Sequence, residues 1–211
     1  MQIINFILHI NNYIGMFIES YGIFVYLILF GIIFCETGLV FLPFLPGDSI
    51  IFAGGAFAGM QKLNLWVLFI VFVSAAILGD LVNYIIGKKF GKNILSNKNN
   101  KLIKEETIQK SNEFIGNYGG RAIFFARFIP IIRTIVPFLI GMGKLEYKTF
   151  LKFNVIGAFV WVILFLTIGC LFGNIKFVKD NISIVILFII FMSVIPIIIE
   201  VVKSKRRIIN T

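Results

Sequence analysis

Four charged side chains inside apolar runs of the chain are the residues best suited to do chemistry. Glu36 and Asp48 flank the segment TGLVFLPFLPG, and Arg127 and Arg133 flank the segment FIPII. An isolated charge at the centre of a bilayer costs about 2.5–3.5 kcal/mol on an insertion scale, so four would cost on the order of 10 kcal/mol. Pairing recovers most of this cost. We therefore expect the acidic and basic segments to meet.

The types of these four side chains indicate a ligand. Arginine guanidinium groups match phosphate oxygens with two parallel hydrogen bonds, and helix N-termini present N–H donors to anions. Carboxylates at the same place repel an anion unless they are protonated, and burial favours the protonated form. We expect an anionic, phosphate-bearing ligand whose binding is coupled to protons. The alternative is a purely structural ion-pair cluster, which stabilises a protein poorly compared with apolar packing.

The acidic segment contains residues that break a helix. Pro43 and Pro46 lack N–H groups and clash with the preceding turn, and Gly47 permits a sharp turn. The freed backbone groups must be buried in protein or line a wet cavity. Asp48 is expected to carry protons with Glu36, although it could instead cap the helix that begins at SIIFAGG.

The basic segment is broken in the same way, by Pro130 and Pro137. An ideal helix would place Arg127 and Arg133 roughly 120° apart, since each residue advances about 100°. A bend at Pro130 would turn both guanidinium groups toward one cavity. The surrounding Phe, Ile and Leu side chains suit a lipid tail better than a sugar.

The elements that position these residues are membrane spans. Apolar residues make up 59% of the 211-residue chain, against about 45–50% in soluble domains, so we predict an integral membrane protein. Spans need about 20 apolar residues. The intact or broken apolar runs are Tyr21–Cys35, Glu36–Met60, Leu63–Gly87, Phe114–Gly141, Tyr147–Gly173 and Ile182–Glu200.

The basic residues predict the topology of these runs. Fourteen of the twenty lie in residues 88–113, 144–152 and 203–207, and such clusters favour the cytoplasmic side. All three share that side only if both proline-broken runs dip in and return. The two hairpins then have opposite orientations, as in inverted-repeat transporters, and both termini are cytoplasmic.

The predicted fold is therefore an all-α polytopic membrane protein with two oppositely oriented re-entrant hairpins and about four transmembrane helices. A single membrane domain spans residues 1–211, with a core of about 21–173. A transmembrane helix at 182–200 and a basic cytoplasmic tail at 201–211 follow this core.

Several other features have plainer interpretations. The net charge is +10, but the basic residues mostly flank apolar runs, so nucleic acid is not an expected partner. With His9 as the only histidine and no cluster of metal ligands, we predict no metal, no cofactor and no enzyme activity.

Asp80 is a possible accessory to the charged site, but a structural or interfacial role is favoured. Gly55 and Gly59 indicate close helix packing. The lysines in 88–110 could bind acidic headgroups, although the topology signal already accounts for them.

Three stretches of the sequence carry a family resemblance. FCETGLVFLPFLPGDSIIFAGGAFAG, GDLVNYIIGKKFG and FFARFIPIIRTIVPFLIGMGKLEYKTFLKFNVIGAFVW resemble the DedA family of bacterial membrane proteins. This family shares the SNARE-associated or VTT domain with eukaryotic lipid scramblases. The resemblance extends over about Ile3 to Gly173. It implies that the family's essential acidic pair corresponds to Glu36 and Asp48, and its essential arginine pair to Arg127 and Arg133.

The resemblance also implies a function. Family members are associated with moving undecaprenyl phosphate or phospholipids between leaflets of the bacterial inner membrane, often driven by the proton-motive force. We accordingly expect a lipid transporter that supports envelope homeostasis, with membrane lipids and protons as its partners. The arginines would engage the headgroup phosphate, and the acidic pair would carry protons. The alternatives are a non-transporting scaffold for division or envelope assembly and, least favoured, a lipid-phosphate hydrolase.

Overall fold

A computed structural model describes residues 22–39, 46–96, 105–143, 145–176 and 178, and their side chains except at 92–96, 105–107, 130 and 131. The described parts are helical and contain no strand, which confirms the all-α prediction. The elements are α1 (Ile23–Gly38), α2 (Gly47–Gly59), α3 (Leu65–Ser96), α4 (Glu105–Tyr118), a 3-10 turn (Gly119–Arg121), α5 (Ala122–Ala126), α6 (Pro130–Met142) and α7 (Tyr147–Asn174).

Two of these helices are long and apolar enough to cross a bilayer. They are the 27-residue part Leu65–Gly91 of α3 and the 28-residue α7, each about 40 Å long at 1.5 Å per residue. The α7 bounds agree with the predicted run Tyr147–Gly173. α3 extends past its predicted end at Gly87 because the residues that follow, KKFGKNIL, are mostly compatible with a helix. The predicted span 182–200, the tail 201–211 and Pro43 lie outside the described residues.

Asn64 fixes the start of α3. Its Oδ1 accepts hydrogen bonds from the backbone N–H groups of Trp66 (2.9 Å) and Val67 (3.1 Å). This is the geometry of an N-cap, which satisfies donors that the first helical turn leaves open. The backbone N–H of Asn64 donates to the hydroxyl of Tyr26 at 2.9 Å, so the cap also ties the helix start to α1.

The acidic proline segment ends where α2 begins. The N-cap of α2 is Pro46, and Asp48 is the second residue of the helix. The alternative role of Asp48 as the N-cap of α2 is therefore wrong, because the helix starts before it. A carboxylate in a first turn still interacts favourably with the positive end of the helix dipole.

The basic segment is interrupted at one proline and continuous through the other. α5 ends at Ala126, and α6 begins at Pro130 after the extended residue Ile129 (φ −118°, ψ 104°), as expected before a proline. Pro137 lies inside α6, which continues to Met142, so the prediction that Pro137 breaks the hairpin is wrong. Pro137 has no N–H to donate to the carbonyl of Arg133, four residues before it. Helices tolerate this where neighbouring groups compensate.

The chain divides into two compact units. The described residues of the first unit are 22–26, 46–68 and 165 onward. In this unit α2 packs closely on the C-terminal part of α7, because glycines line the contact on both helices. A Cβ at Gly55, Gly59, Gly169 or Gly173 would overlap a backbone carbonyl of the opposite helix. The predicted close packing at Gly55 and Gly59 is confirmed.

The second unit comprises the described residues 27–39 and 69–164. Within it α3 and α6 approach at two reciprocal glycines, Gly87 against the backbone of Phe138 and Gly141 against that of Tyr84. α3 and α7 also lie side by side, since the Tyr84 ring stacks on that of Phe150 with centroids 4.4 Å apart. All the paired charges described below belong to this unit.

Candidate functional site

Glu36 and Arg133 form a buried ion pair. The Arg133 guanidinium donates to Oε1 of Glu36, and the two side chains are 7% and 0% exposed. α1 supplies the carboxylate and α6 supplies the guanidinium, from positions 97 residues apart. The prediction that the acidic and basic segments meet is confirmed for this pair.

Arg127 pairs with a different carboxylate. Its Nη2 lies 2.5 Å from Oδ2 of Asp80 and donates to Oδ1 of Asn154 at 2.5 Å. Asp80 is 4% exposed, so it belongs to the buried polar cluster. The structure thus brings the possible accessory residue into contact with one of the two predicted arginines.

The indole of Trp161 links the two ion pairs. The guanidinium carbons of Arg127 and Arg133 lie 5.9 and 5.3 Å from its ring centroid, within the range of cation–π attraction. The break between α5 and α6 thus turns both guanidinium groups toward one ring, as the bend predicted at Pro130 requires. Gly157 makes room for Arg127, because a Cβ there would lie 3.0 Å from its Cδ and Nε atoms.

Asn83 holds the backbones beside the Glu36–Arg133 pair. Its Nδ2 donates to the carbonyl of Thr37 at 3.1 Å and to that of Thr134 at 2.6 Å. These carbonyls belong to the residues that directly follow Glu36 and Arg133. The Asn83 side chain is fully buried, so a single amide from α3 ties α1 to α6 where the ion pair forms.

Asp48 belongs to the first unit, in the first turn of α2, and it is half-buried there. Its part in the charged site remains a prediction. The buried charge cluster, as we call it below, consists of Glu36, Asp80, Asn83, Arg127, Arg133, Asn154 and Trp161.

Sequence reasoning missed the contributions of Asn83, Asn154 and Trp161. One available signal was the free-energy cost of burying the side-chain amides of Asn83 and Asn154 in apolar spans, which indicates that each has a hydrogen-bond partner. A second was the seven-residue spacing from Asn154 to Trp161, which places both on one face of α7. Among the described residues, no three His, Cys, Asp or Glu side chains are arranged to hold a metal ion.

Comparison with known proteins places the chain among bacterial membrane proteins. Residues 45–171 match the family model of the VTT domain. The chain is similar to Protein DedA of Escherichia coli K12, with 46% identity over 206 residues, covering 97% of this chain and 94% of the relative. It is 31% identical to the uncharacterized membrane protein YbfM of Bacillus subtilis over 157 residues, covering 74% of this chain and 93% of the relative.

A third relative is the inner membrane protein YqjA of E. coli K12, with 29% identity over 149 residues, 71% of this chain and 68% of the relative. No solved structure matches the chain significantly. The VTT model matches more than half of the chain, and the similarity to Protein DedA extends over nearly all of it. The chain therefore belongs to the DedA family of VTT-domain membrane proteins.

Proposed function

We propose that this protein moves a phosphate-bearing lipid between the leaflets of the membrane, with Arg127 and Arg133 engaging the headgroup phosphate. The observation that carries the proposal is that both guanidinium groups are buried against one indole while each is paired with a carboxylate. Charges held in this way are a poor means of stabilisation. In membrane segments they are commonly part of a substrate or proton pathway.

Proton coupling follows from exchange of partners at the Glu36–Arg133 pair. A phosphate that takes over the guanidinium of Arg133 would leave the Glu36 charge without the cation that balances it. A buried, unpaired charge costs several kcal/mol, and protonation of the carboxyl removes that charge. Phosphate binding and proton uptake at Glu36 are therefore linked, and departure of the phosphate returns both groups to the pair.

The other two carboxylates take subordinate roles in the proposal. Asp80 neutralises Arg127 in the absence of ligand, as Glu36 neutralises Arg133. Asp48 is a second proton carrier at the start of α2, where the positive end of the helix dipole stabilises its charged form.

The proposed architecture keeps the two re-entrant hairpins in inverted orientation. α2 and α6 have 13 residues each, or about 20 Å of helix, which is less than the roughly 30 Å thickness of the hydrocarbon core. The contact of Tyr84 on α3 with Tyr147 and Phe150 on α7 supports a second hairpin that returns to the side it left. The proposed location is the bacterial inner membrane, which the name of YqjA supports. The proposed topology has both termini in the cytoplasm.

The cargo that we propose is undecaprenyl phosphate or a phospholipid, and the cellular role is envelope homeostasis. The test is reconstitution of the purified full chain in liposomes with labelled polyprenyl phosphate or labelled phospholipids, with and without an imposed pH gradient. We expect at least one of these lipids to change leaflets faster than in protein-free liposomes, and the rate to depend on the gradient. Absence of movement for every lipid in the panel would refute transport.

A further inference from the structure

A groove outside the buried charge cluster has the size of a ligand site. Its volume is about 640 Å³, and it lies in the second unit, between α3 and the start of α7. Ligand pockets usually measure roughly 300–1,000 Å³. We call it the edge groove, and its lining residues are Leu81, Tyr84, Ile85, Lys88, Lys89 and Tyr147.

The lining of the edge groove has an apolar and aromatic part and a positively charged part. Leu81 and Ile85 supply an apolar wall, and Tyr84 and Tyr147 supply aromatic rings 5.7 Å apart. Lys88 and Lys89 are exposed and stand at the end of the apolar part Leu65–Gly91 of α3. Lysines beside tyrosines at the end of a span are typical of the headgroup level of a bilayer. The groove is thus suited to an amphiphile with an anionic head.

The edge groove and the buried charge cluster share the contact between α3 and α7. Asp80, Tyr84 and Lys88 are spaced four residues apart, so they follow one another on a single face of α3. On α7, Phe150 stacks on Tyr84, and Asn154 contacts Arg127, the partner of Asp80. Lys88 is two turns from Asp80, or about 12 Å along the helix axis.

We propose that the edge groove binds the phosphate group of an anionic amphiphile at the headgroup level of the membrane, as a binding site separate from the buried charge cluster. Lys88 and Lys89 hold the phosphate, and Tyr84, Ile85 and Leu81 contact the adjoining apolar part of the ligand. That the phosphate then proceeds to Arg127 and Arg133 rests on the proposed transport function. Binding at the groove does not depend on that function.

The test measures binding to the purified full chain in detergent, with dioctanoyl phosphatidic acid, dioctanoyl phosphatidylcholine and inorganic phosphate as separate probes. Replacing both groove lysines (Lys88→Gln with Lys89→Gln) is expected to weaken phosphatidic acid binding by about ten- to thirtyfold, from the typical contribution of a lysine near anionic headgroups. The matched control replaces two exposed lysines of α7 outside the groove (Lys148→Gln with Lys152→Gln), with an expected change below about twofold.

The outcomes separate the alternatives. Equal losses in the two double variants, or no loss in the groove variant, would overturn the site, because a general positive charge would then explain binding. If inorganic phosphate binds as tightly as phosphatidic acid, the ligand is a soluble phosphate, and the proposal of an amphiphilic ligand is overturned. Groove binding that persists while reconstituted protein moves no lipid would refute the transport function and leave the site standing.

Discussion

Arg133 and Glu36 depend on each other for their stability inside the protein. Both side chains are buried, so removal of one charge leaves the other without the opposite charge that balances it. Removing both charges together avoids that penalty, because a buried pair contributes little net stability. This asymmetry gives a way to separate a structural role of the pair from a functional one.

Replacement of Arg133 by glutamine is expected to lower the free energy of unfolding by about 3–5 kcal/mol and to abolish lipid transport. The double variant Arg133→Gln with Glu36→Gln should regain most of the stability and none of the transport. Thermal unfolding in detergent and the liposome assay measure the two effects. The matched control is Arg121→Gln, an exposed arginine of the same segment, which should change neither. Transport by the double variant at the rate of the unmodified protein would show that the pair is only structural.

Glu36→Gln alone tests the proposed proton role. The glutamine side-chain oxygen still accepts a hydrogen bond from Arg133, but the side chain no longer titrates. The variant should lose stability as Arg133→Gln does, because Arg133 keeps its charge, so transport rates are normalised to the folded protein in the liposomes. We expect the pH dependence of transport to flatten, since ligand exchange no longer takes up a proton at this position. Transport rates across a pH series provide the measurement. A pH profile identical to that of the unmodified protein would remove Glu36 from the proton role.

At the scale of helices, Asn83 is the connection that aligns the pair. It donates to carbonyls of α1 and α6 beside the paired residues. α3 therefore sets the positions of α1 and α6 relative to each other.

Asn83→Ala should destabilise the protein by about 1–3 kcal/mol in total, because it removes two buried hydrogen bonds worth about 0.5–1.5 kcal/mol each. Asn83→Asp should be at least as harmful, because the carboxylate places an acceptor against two acceptors. Unfolding midpoints in detergent report the change. The control is Asn174→Ala, which removes a side-chain hydrogen bond to a backbone carbonyl at an exposed position. It should change the free energy of unfolding by less than about 0.5 kcal/mol. Similar shifts for Asn83→Ala and Asn174→Ala would contradict the clamp.

The glycine contact between α2 and α7 makes a second prediction at this scale. A methyl group at Gly55 would overlap the backbone carbonyl of Leu166, so Gly55→Ala should force the helices apart and lower the unfolding temperature. Gly31→Ala is the control, because a Cβ at Gly31 in α1 meets open space. That variant should stabilise the protein by about 0.5–1 kcal/mol through the higher helix propensity of alanine. Equal stabilisation by both substitutions would disprove the close contact.

The sequence predicts those features that are determined by neighbouring residues, but not those that depend on how the helices pack. The α3 and α7 spans follow from apolar length, and the break at Pro130 follows from proline chemistry. The meeting of the acidic and basic segments follows from the cost of unpaired charge, but which carboxylate pairs with which arginine does not. The partner of Arg127 was not predictable, because the contacts with Asp80 and Asn154 depend on how α3, α5 and α7 pack. α6 also continues through Pro137, which proline chemistry alone does not predict.

At the scale of the whole molecule, the proposed topology requires the second proline-broken segment to return to the side of the membrane that it left. The end of α3 and the start of α7 carry basic residues that favour the cytoplasm. They also lie together, since Lys89 and Tyr147 line one groove. A segment that leaves α3 and rejoins α7 at the same membrane surface cannot cross an odd number of times. This geometry supports the proposed hairpin that returns to the side it left, with the basic residues at its two ends on the same side.

Cysteine labelling tests this arrangement. In a variant with Cys35 and Cys170 replaced, single cysteines are placed at the exposed positions Lys89 and Lys148, and at Lys62 as the predicted outer control. In spheroplasts, a membrane-impermeant maleimide should label Lys62→Cys at once, and Lys89→Cys and Lys148→Cys only after the membrane is opened. Labelling of Lys89→Cys and Lys148→Cys from opposite sides would mean that the segment crosses. The charge cluster would then lie on a transmembrane helix, and the inverted-repeat proposal would fail.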